Sequence, residues 1–373
     1  MSVAANNLRS HSQRPAGRLI SLALWMLCLP LAAADARGLP ADLVRALRDA
    51  QIPMDAVSWV VQPVNATKPI LAHRADQALS PASVMKLLTS AVALDTLGPA
   101  YTWQTRVWAD GAIRQRTLYG NLIIQGEGDP TLTLERMWLL QRHIHAKSID
   151  AIQGKLILDT GLFELPPLDP GTLDGEPLAI YNALPGALLA NYNATHLRVK
   201  AVDDSVQVTP DPNLAGLTIT TRLVVDEQPC GEWQQRLAPI SFDTVRNELR
   251  LEGRYARDCG EKQLNLNLYD PTRHFDATFR ALWEQSGGEL RGDTQLGSAP
   301  VDRAPVLTFA SLPLAEALRN LNKYSNNVMT RNLYLTLGAA HAGPPATLEK
   351  SGQAIRAWLA EKRIAAPELV LEN

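Results

Sequence analysis

Ser83 and Lys86 stand three residues apart in the run Ser80-Pro81-Ala82-Ser83-Val84-Met85-Lys86, and on a helix that spacing puts both side chains on one face, close enough to exchange a proton. A serine hydroxyl is a weak nucleophile until a base takes its proton. Lysine can be that base where burial disfavours its ammonium and lowers its pKa. At the start of a helix, outward-pointing amides also favour negative charge developing on an attacked carbonyl. The chemistry expected is acyl transfer to Ser83 with Lys86 as base. A Ser-x-x-Lys run alone is weak, since a helix-start serine and a surface lysine spell it too. Here Lys86 is the only charged residue between Val84 and Leu94, so the helix reads as buried on nearly every side, where a lysine is costly without a purpose.

A second constellation, Ser325-Asn326-Asn327, falls between two helical patterns. A serine hydroxyl there can relay a proton to a leaving amine, and an asparagine amide can both donate to and accept from a peptide-like substrate. The competing reading is a plain helix N-cap. His143 and His145 could be metal ligands on a strand, but Glu135 to Ile149 reads as helix, and no metal or other cofactor is expected. Asp129 reads as a turn residue rather than an acid.

The elements that would position these groups begin with an amphipathic helix over Asp42 to Gln51. A strand pair follows, Val57 to Val61 and Pro69 to Ala72, around a turn at Asn65 to Lys68. The Ser83 helix is expected to stop at Gly98-Pro99. From Trp103 to about Pro300 the texture is short β-rich runs separated by Pro and Gly, with a rigid proline-rich connector at Leu165 to Pro177. Helical spacing returns from Leu312 onward.

The chain has 373 residues, 46% hydrophobic and 20% charged, with a formal net charge of -2. That is globular composition long enough for two or three domains, with no electrostatic reason to expect nucleic acid. Arg9, Arg14 and Arg18, then the apolar Leu19 to Leu31, then Ala32-Ala33-Ala34 and Ala34-Asp35-Ala36 read as an export signal over residues 1–36. The apolar stretch is short for a membrane span, so no integral span is expected after cleavage. Leu27 before Cys28 argues against lipidation. Export takes Cys230 and Cys259 to an oxidising compartment, where a disulfide is expected, with two buried free thiols as the weaker alternative.

Four runs together, Ser80 to Lys86, Gly126-Glu127-Gly128-Asp129-Pro130-Thr131-Leu132, Gly154 to Asp159 and Tyr324 to Asn327, resemble D-alanyl-D-alanine carboxypeptidase/endopeptidases of the penicillin-binding protein 4 type, low-molecular-mass class C penicillin-binding proteins. The resemblance covers essentially all of the chain after its leader. It implies a multidomain α/β + β fold: a discontinuous β-lactamase/transpeptidase-like domain (37–101 and 302–373) with two nested β-rich inserted domains, one at 102–175 and 264–301, the other at 176–263 and holding Cys230 and Cys259. It implies peptidoglycan stem peptides and β-lactam antibiotics as partners, and a periplasmic or cell-envelope location. By resemblance Ser83 is acylated, Lys86 is its base, Ser325 relays the proton and Asn327 binds the substrate amide. Asp174, Glu176 and Tyr181 would approach the cleft, with Glu176 pairing the ammonium of the stem's diamino acid. The family's third motif, Lys-Thr/Ser-Gly on a β-strand lining the cleft, is expected to be absent, the domain being incomplete at its C-terminus. The closing run Leu369 to Asn373 reads as β.

Overall fold

A computed structural model describes residues 39–371; the expected export signal lies outside them. Residues 39–80 and 81–371 form separate compact units. In the first, α1 (Ala41–Asp49) turns a single buried side chain, Leu47, inward. β1 (Trp59–Val61) and β2 (Leu71–His73) pair antiparallel, Trp59 opposite His73. Both are shorter than their hydrophobic runs. Ser58 turns its hydroxyl to the Arg74 carbonyl instead of extending the ladder, and neither strand has a second partner among the described residues.

The second unit opens with one 3-10 turn over Ala82–Val84 that runs into α2 (Met85–Leu97). Gly98, at φ +82°, ends the helix in a left-handed conformation that suits glycine. β3 (Gln104–Arg114) and β4 (Thr117–Gly126) form a long hairpin around Gln115 and Arg116, both with positive φ as a two-residue turn requires. Then come α3 (Leu134–Ala146), β5 (Ala151–Ile152) and β6 (Leu156–Asp159). Six strands follow: β7 (Thr195–Val202), β8 (Ser205–Pro210), β9 (Thr218–Asp226), β10 (Ile240–Asp243), β11 (Glu248–Ala256) and β12 (Glu261–Leu266). The chain continues through α4 (Pro271–Gln285), β13 (Glu289–Leu290), β14 (Thr294–Leu296) and β15 (Leu307–Ala310) to α5 (Leu314–Lys323), α6 (Asn327–Ala342) and α7 (Leu348–Glu361).

Three cores result. A mixed sheet in the order β13-β5-β4-β3-β15, with β6 beside β4 and β14 beside β6, is covered by α3 and α4 through Met137, Leu140, Phe275 and Phe279. The sheets β12-β7-β8 and β10-β11-β9 enclose Leu197, Val199, Leu249, Leu251 and Tyr255. The helices α2, α5, α6 and α7 pack around Val92, Leu314, Leu321, Leu333 and Ile355. No described helix is long and apolar enough to cross a membrane.

Two expectations are corrected. α2 is not buried all round: Met85, Lys86, Thr89, Ser90, Val92 and Ala93 are buried, Val92 and Ala93 in the helical core, while Leu87 and Leu94 are 59% and 41% exposed. Apolar residues on every side do not bury a helix when packing elements cover only one side. Residues 369–371 are not a strand either; Leu369 and Leu371 pack as coil against the helical core.

Candidate active site

Ser83 sits in the 3-10 turn before α2, and Lys86 lies one turn further on. Lys86 Nζ donates to Ser83 Oγ at 2.9 Å. Ser83 is exposed, whereas Lys86 is only 7% exposed. Burial is the main cause of its lowered pKa, and the positive charge of Arg331 lowers it further. A lysine so placed can become neutral and accept the hydroxyl proton at a pH where ordinary lysines stay charged. The residue before the serine, Ala82, has φ +44°, a left-handed conformation costly for a residue with a Cβ.

The Ser325-Asn326-Asn327 turn joins α5 to α6. Asn326 is the N-cap, its Oδ1 accepting from Met329 N at 3.0 Å. The capping role therefore falls on the middle residue and leaves the flanking side chains free for other partners. Ser325 has φ +51° and makes no side-chain hydrogen bond to Ser83 or Lys86 among the described residues. The turn is nonetheless tied to α2, because Asn322 Nδ2 on α5 donates to Ser90 Oγ at 3.1 Å. Ser90 lies one turn beyond Lys86.

Asn327 Nδ2 donates to the Tyr181 carbonyl at 2.9 Å, which brings the 174–182 segment to this turn. Asp174 organises that segment: its carboxylate accepts from Tyr181 Oη at 2.7 Å, Asn182 Nδ2 at 2.8 Å and Glu176 N at 3.0 Å. The bond from Tyr181 chiefly holds the Asp174 pKa down, and it raises that of Tyr181 in return. The Glu176 side chain is exposed. Its backbone is bonded in, but its carboxylate has no ion pair among the described residues.

Two residues escaped the sequence reading. Arg331 Nη1 donates to Ala183 O at 2.7 Å. Asn332 Nδ2 donates to Gly186 O at 2.9 Å and Gly128 O at 3.0 Å, while its Oδ1 accepts from Gly186 N at 3.1 Å. The signal was there: polar side chains at 327, 331 and 332 interrupt a helix that is otherwise largely apolar. The Gly126 to Leu132 run has a structural explanation. A Cβ on Gly126 would lie 2.1 Å from the Ala187 carbonyl, so glycine admits the 186–188 segment. Asp129 is a turn residue whose Oδ1 accepts from Thr131 N and Oγ1 at 2.7 and 2.6 Å.

One sequence expectation needs correcting. Lys350-Ser351-Gly352 does spell Lys-Ser-Gly, but it lies in the first turn of α7, not on a strand. Lys350 Nζ is spent on the Gly343 and Pro345 carbonyls, and Ser351 is fully buried. A Cβ on Gly338 would meet Ser351 Oγ at 2.5 Å, so small residues here serve close packing of α6 on α7. Among the described residues no strand carries the third motif.

His145 bonds Asp150 and Ser286 and stacks on Trp283, His143 lies edge-on to Phe309, and no metal-binding cluster occurs among the described residues. Cys230 and Cys259 are joined as a disulfide.

The chain is 29% identical over 300 residues to a D-alanyl-D-alanine carboxypeptidase of Actinomadura sp. (strain R39), covering 77% of this chain and 55% of that protein. It is 21% identical over 310 residues to D-alanyl-D-alanine carboxypeptidase DacB of Haemophilus influenzae, covering 83% and 64%. The chain thus spans under two thirds of the length of these curated relatives. The crystal structure of penicillin binding protein 4 (dacB) from Haemophilus influenzae superposes with a TM-score of 0.69 at 21% identity, over 84% of this chain and 69% of that one, a shared fold. The model of the D-Ala-D-Ala carboxypeptidase 3 (S13) family matches residues 39–373, taking in both the Ser83 turn and the Ser325 turn, and the chain belongs to that family.

Proposed function

We propose that the chain carries the acylation centre of an exported serine-type D-Ala-D-Ala carboxypeptidase/endopeptidase that acts on peptidoglycan stem peptides and is acylated by β-lactams. The observation that carries this reading is the 2.9 Å bond between exposed Ser83 Oγ and buried Lys86 Nζ. Neutral Lys86 takes the hydroxyl proton as Ser83 Oγ bonds to the carbonyl carbon before the terminal D-alanine. The tetrahedral oxyanion then collapses, the C–N bond breaks, and the leaving amine takes a proton through Ser325. Water hydrolyses the acyl-serine ester and restores the hydroxyl. Asn327 and Glu176 bind the stem, and Tyr181 lines its path. The three cores are read as a peptidase helical layer and two β-rich inserts, one within the other. The location is the periplasm or cell envelope.

A second reading, a non-catalytic peptidoglycan-binding or β-lactam-sequestering homologue, is favoured by one observation: the described residues hold no strand with Lys-Thr/Ser-Gly. Such a strand supplies oxyanion and carboxylate donors, and the loss of one oxyanion donor costs about 10² to 10³ in rate. Residues 1–373 tested alone are therefore proposed to acylate slowly. A fluorescent penicillin tests the acylation centre, and release of D-alanine from a stem pentapeptide then separates the enzyme from a β-lactam-sequestering homologue. Covalent label that disappears in Ser83→Ala supports that centre, and folded protein that takes no label on prolonged exposure rejects it.

A further inference from the structure

From Leu165 to Gly186 the chain runs as a strap between β6 and β7, with one short helical turn at Ile180–Asn182. Its middle is pre-organised by the Asp174 hub. Its attachment to α6 is different in kind, because three side chains of the helix's first two turns take successive strap carbonyls: Asn327 that of Tyr181, Arg331 that of Ala183 and Asn332 that of Gly186. Behind them the strap is not packed solid. A cavity of about 460 Å³ separates strap residues such as Leu168, Leu173 and Leu184 from Arg331, Tyr334 and Leu335 of α6. The pocket is open to solvent, Leu173 on its wall being 71% exposed, so apolar packing holds the strap little on this side and hydrogen bonds at the margin decide where it rests.

Arg331 stands out among the three. It is the charged donor, desolvation lowers its pKa, and it has no ion-pair partner among the described residues. Arg331 is half-buried, and taking an unpaired guanidinium even partly out of water has a cost. A neutral apolar side chain would fill that place at lower cost if packing were its purpose.

We infer that Arg331 is a positioning residue: by holding the Ala183 carbonyl it fixes the strap, and with it Glu176 and Tyr181, beside the Ser325 turn, and so sets selectivity for a large stem peptide over a small acylating agent. The selectivity rests on the acyl-serine reading; the clamp does not. A small β-lactam reaches Ser83 and Lys86 without meeting the strap, whereas a stem peptide must meet it. Among the described residues the strap's own charges, Asp169, Asp174 and Glu176, form no ion pair with Arg331, so its reach to the strap is through the Ala183 carbonyl.

The test compares wild type with Arg331→Met. Hydrogen exchange over 174–186 is expected to rise about tenfold or more, with α5 and α7 unchanged. Because losing the Arg331 charge moves the Lys86 limb to higher pH, labelling by fluorescent penicillin is read at a pH where the rate of neither protein still rises, so that Lys86 is neutral in both. There it is expected to stay within about twofold, while the concentration of a diaminopimelate stem pentapeptide that halves labelling rises about fivefold or more. Unchanged strap exchange overturns the inference. So does a labelling rate that falls as far as the peptide competition, which would assign Arg331 to Lys86 instead. Should Arg331→Met unfold the chain, Arg331→Lys, which keeps the charge without the guanidinium's reach, is read by the same measurements. Wild-type protein that takes no label sinks the acyl-serine reading, and strap exchange still decides the clamp.

Discussion

Asn327 Nδ2 donates to the carbonyl of Tyr181 at 2.9 Å across 146 residues of sequence. The bond joins the turn after α5 to the segment organised by Asp174, and it uses one of the two amide hydrogens of Asn327. The other hydrogen and the carbonyl oxygen stay available, which is what a group reading a peptide amide needs. Together with the bond between Asn322 and Ser90, it places two motifs and the strap on one helical frame.

Lys86→Met is expected to abolish penicillin labelling while leaving stability unchanged or raising it by up to about 2 kcal/mol, since it replaces a buried ammonium with an apolar side chain of similar length. Labelling by wild type should rise with pH through a limb centred below the ordinary lysine value of 10.5. Because the folded state releases this proton more easily than the unfolded chain, stability should also rise with pH up to 10.5, and Lys86→Met should remove that slope. Denaturant melts across the pH range and labelling rates check both. A limb at or above 10.5 would contradict a lowered lysine.

His274 on α4 is fully buried with neither ring nitrogen bonded, and burial, followed by the nearby charge of His196, pushes its pKa from 6.5 to about 3. The unfolded chain binds this proton below pH 6.5 and the folded one does not. Stability is therefore expected to fall as pH drops from 6.5 towards 3, with a slope from this residue of up to about 1.4 kcal/mol per pH unit. Urea melts of His274→Leu between pH 4 and 7, on the order of that window, should show a flatter acid slope than wild type. An identical slope would mean that the ring is hydrated.

Much of this arrangement was legible in the sequence, for stated reasons. The Ser83-to-Lys86 spacing, the Gly98 stop and the turn at Tyr324 to Asn327 are local, set by helix period and capping chemistry. Burial of α2 on one side only was not legible, because hydropathy marks what a helix could bury and not which neighbours arrive. Arg331 and Asn332 were missed for the same reason: their partners are carbonyls of a strap more than a hundred residues earlier in the chain. Lys350-Ser351-Gly352 spells the third motif, and structure alone reveals that it belongs to helix packing rather than to a cleft strand.

The Ser325 to Asn327 turn divides its labour in a way that mutation can separate. Asn326→Ala removes the α6 cap and should cost about 1 kcal/mol of stability, with penicillin labelling kept at the native rate below the melting range. Asn327→Ala leaves the cap intact, and should instead loosen the Tyr181 segment and weaken competition by a stem peptide with little change in melting. If both variants lose stability equally, the capping assignment is wrong.

The Cys230 to Cys259 bridge closes a loop with a sequence separation of 29, beside the core formed by Leu249, Leu251 and Tyr255. Loop-closure entropy for such a loop predicts a loss of about 3 to 4 kcal/mol on removing the cross-link. The helical core around Val92, Leu321 and Leu333 shares no residue with the bridged core, and the Lys86 to Ser83 bond belongs to α2 and the turn before it. The double variant Cys230→Ala/Cys259→Ala is therefore expected to melt its β7 to β12 sheets earlier while Ser83 labels at the native rate at temperatures where those sheets remain folded. Hydrogen exchange resolved by segment separates the two cores. Equal loss of protection in α2 and in β11 would instead make the two cores one cooperative unit, and labelling would then fall with the bridge.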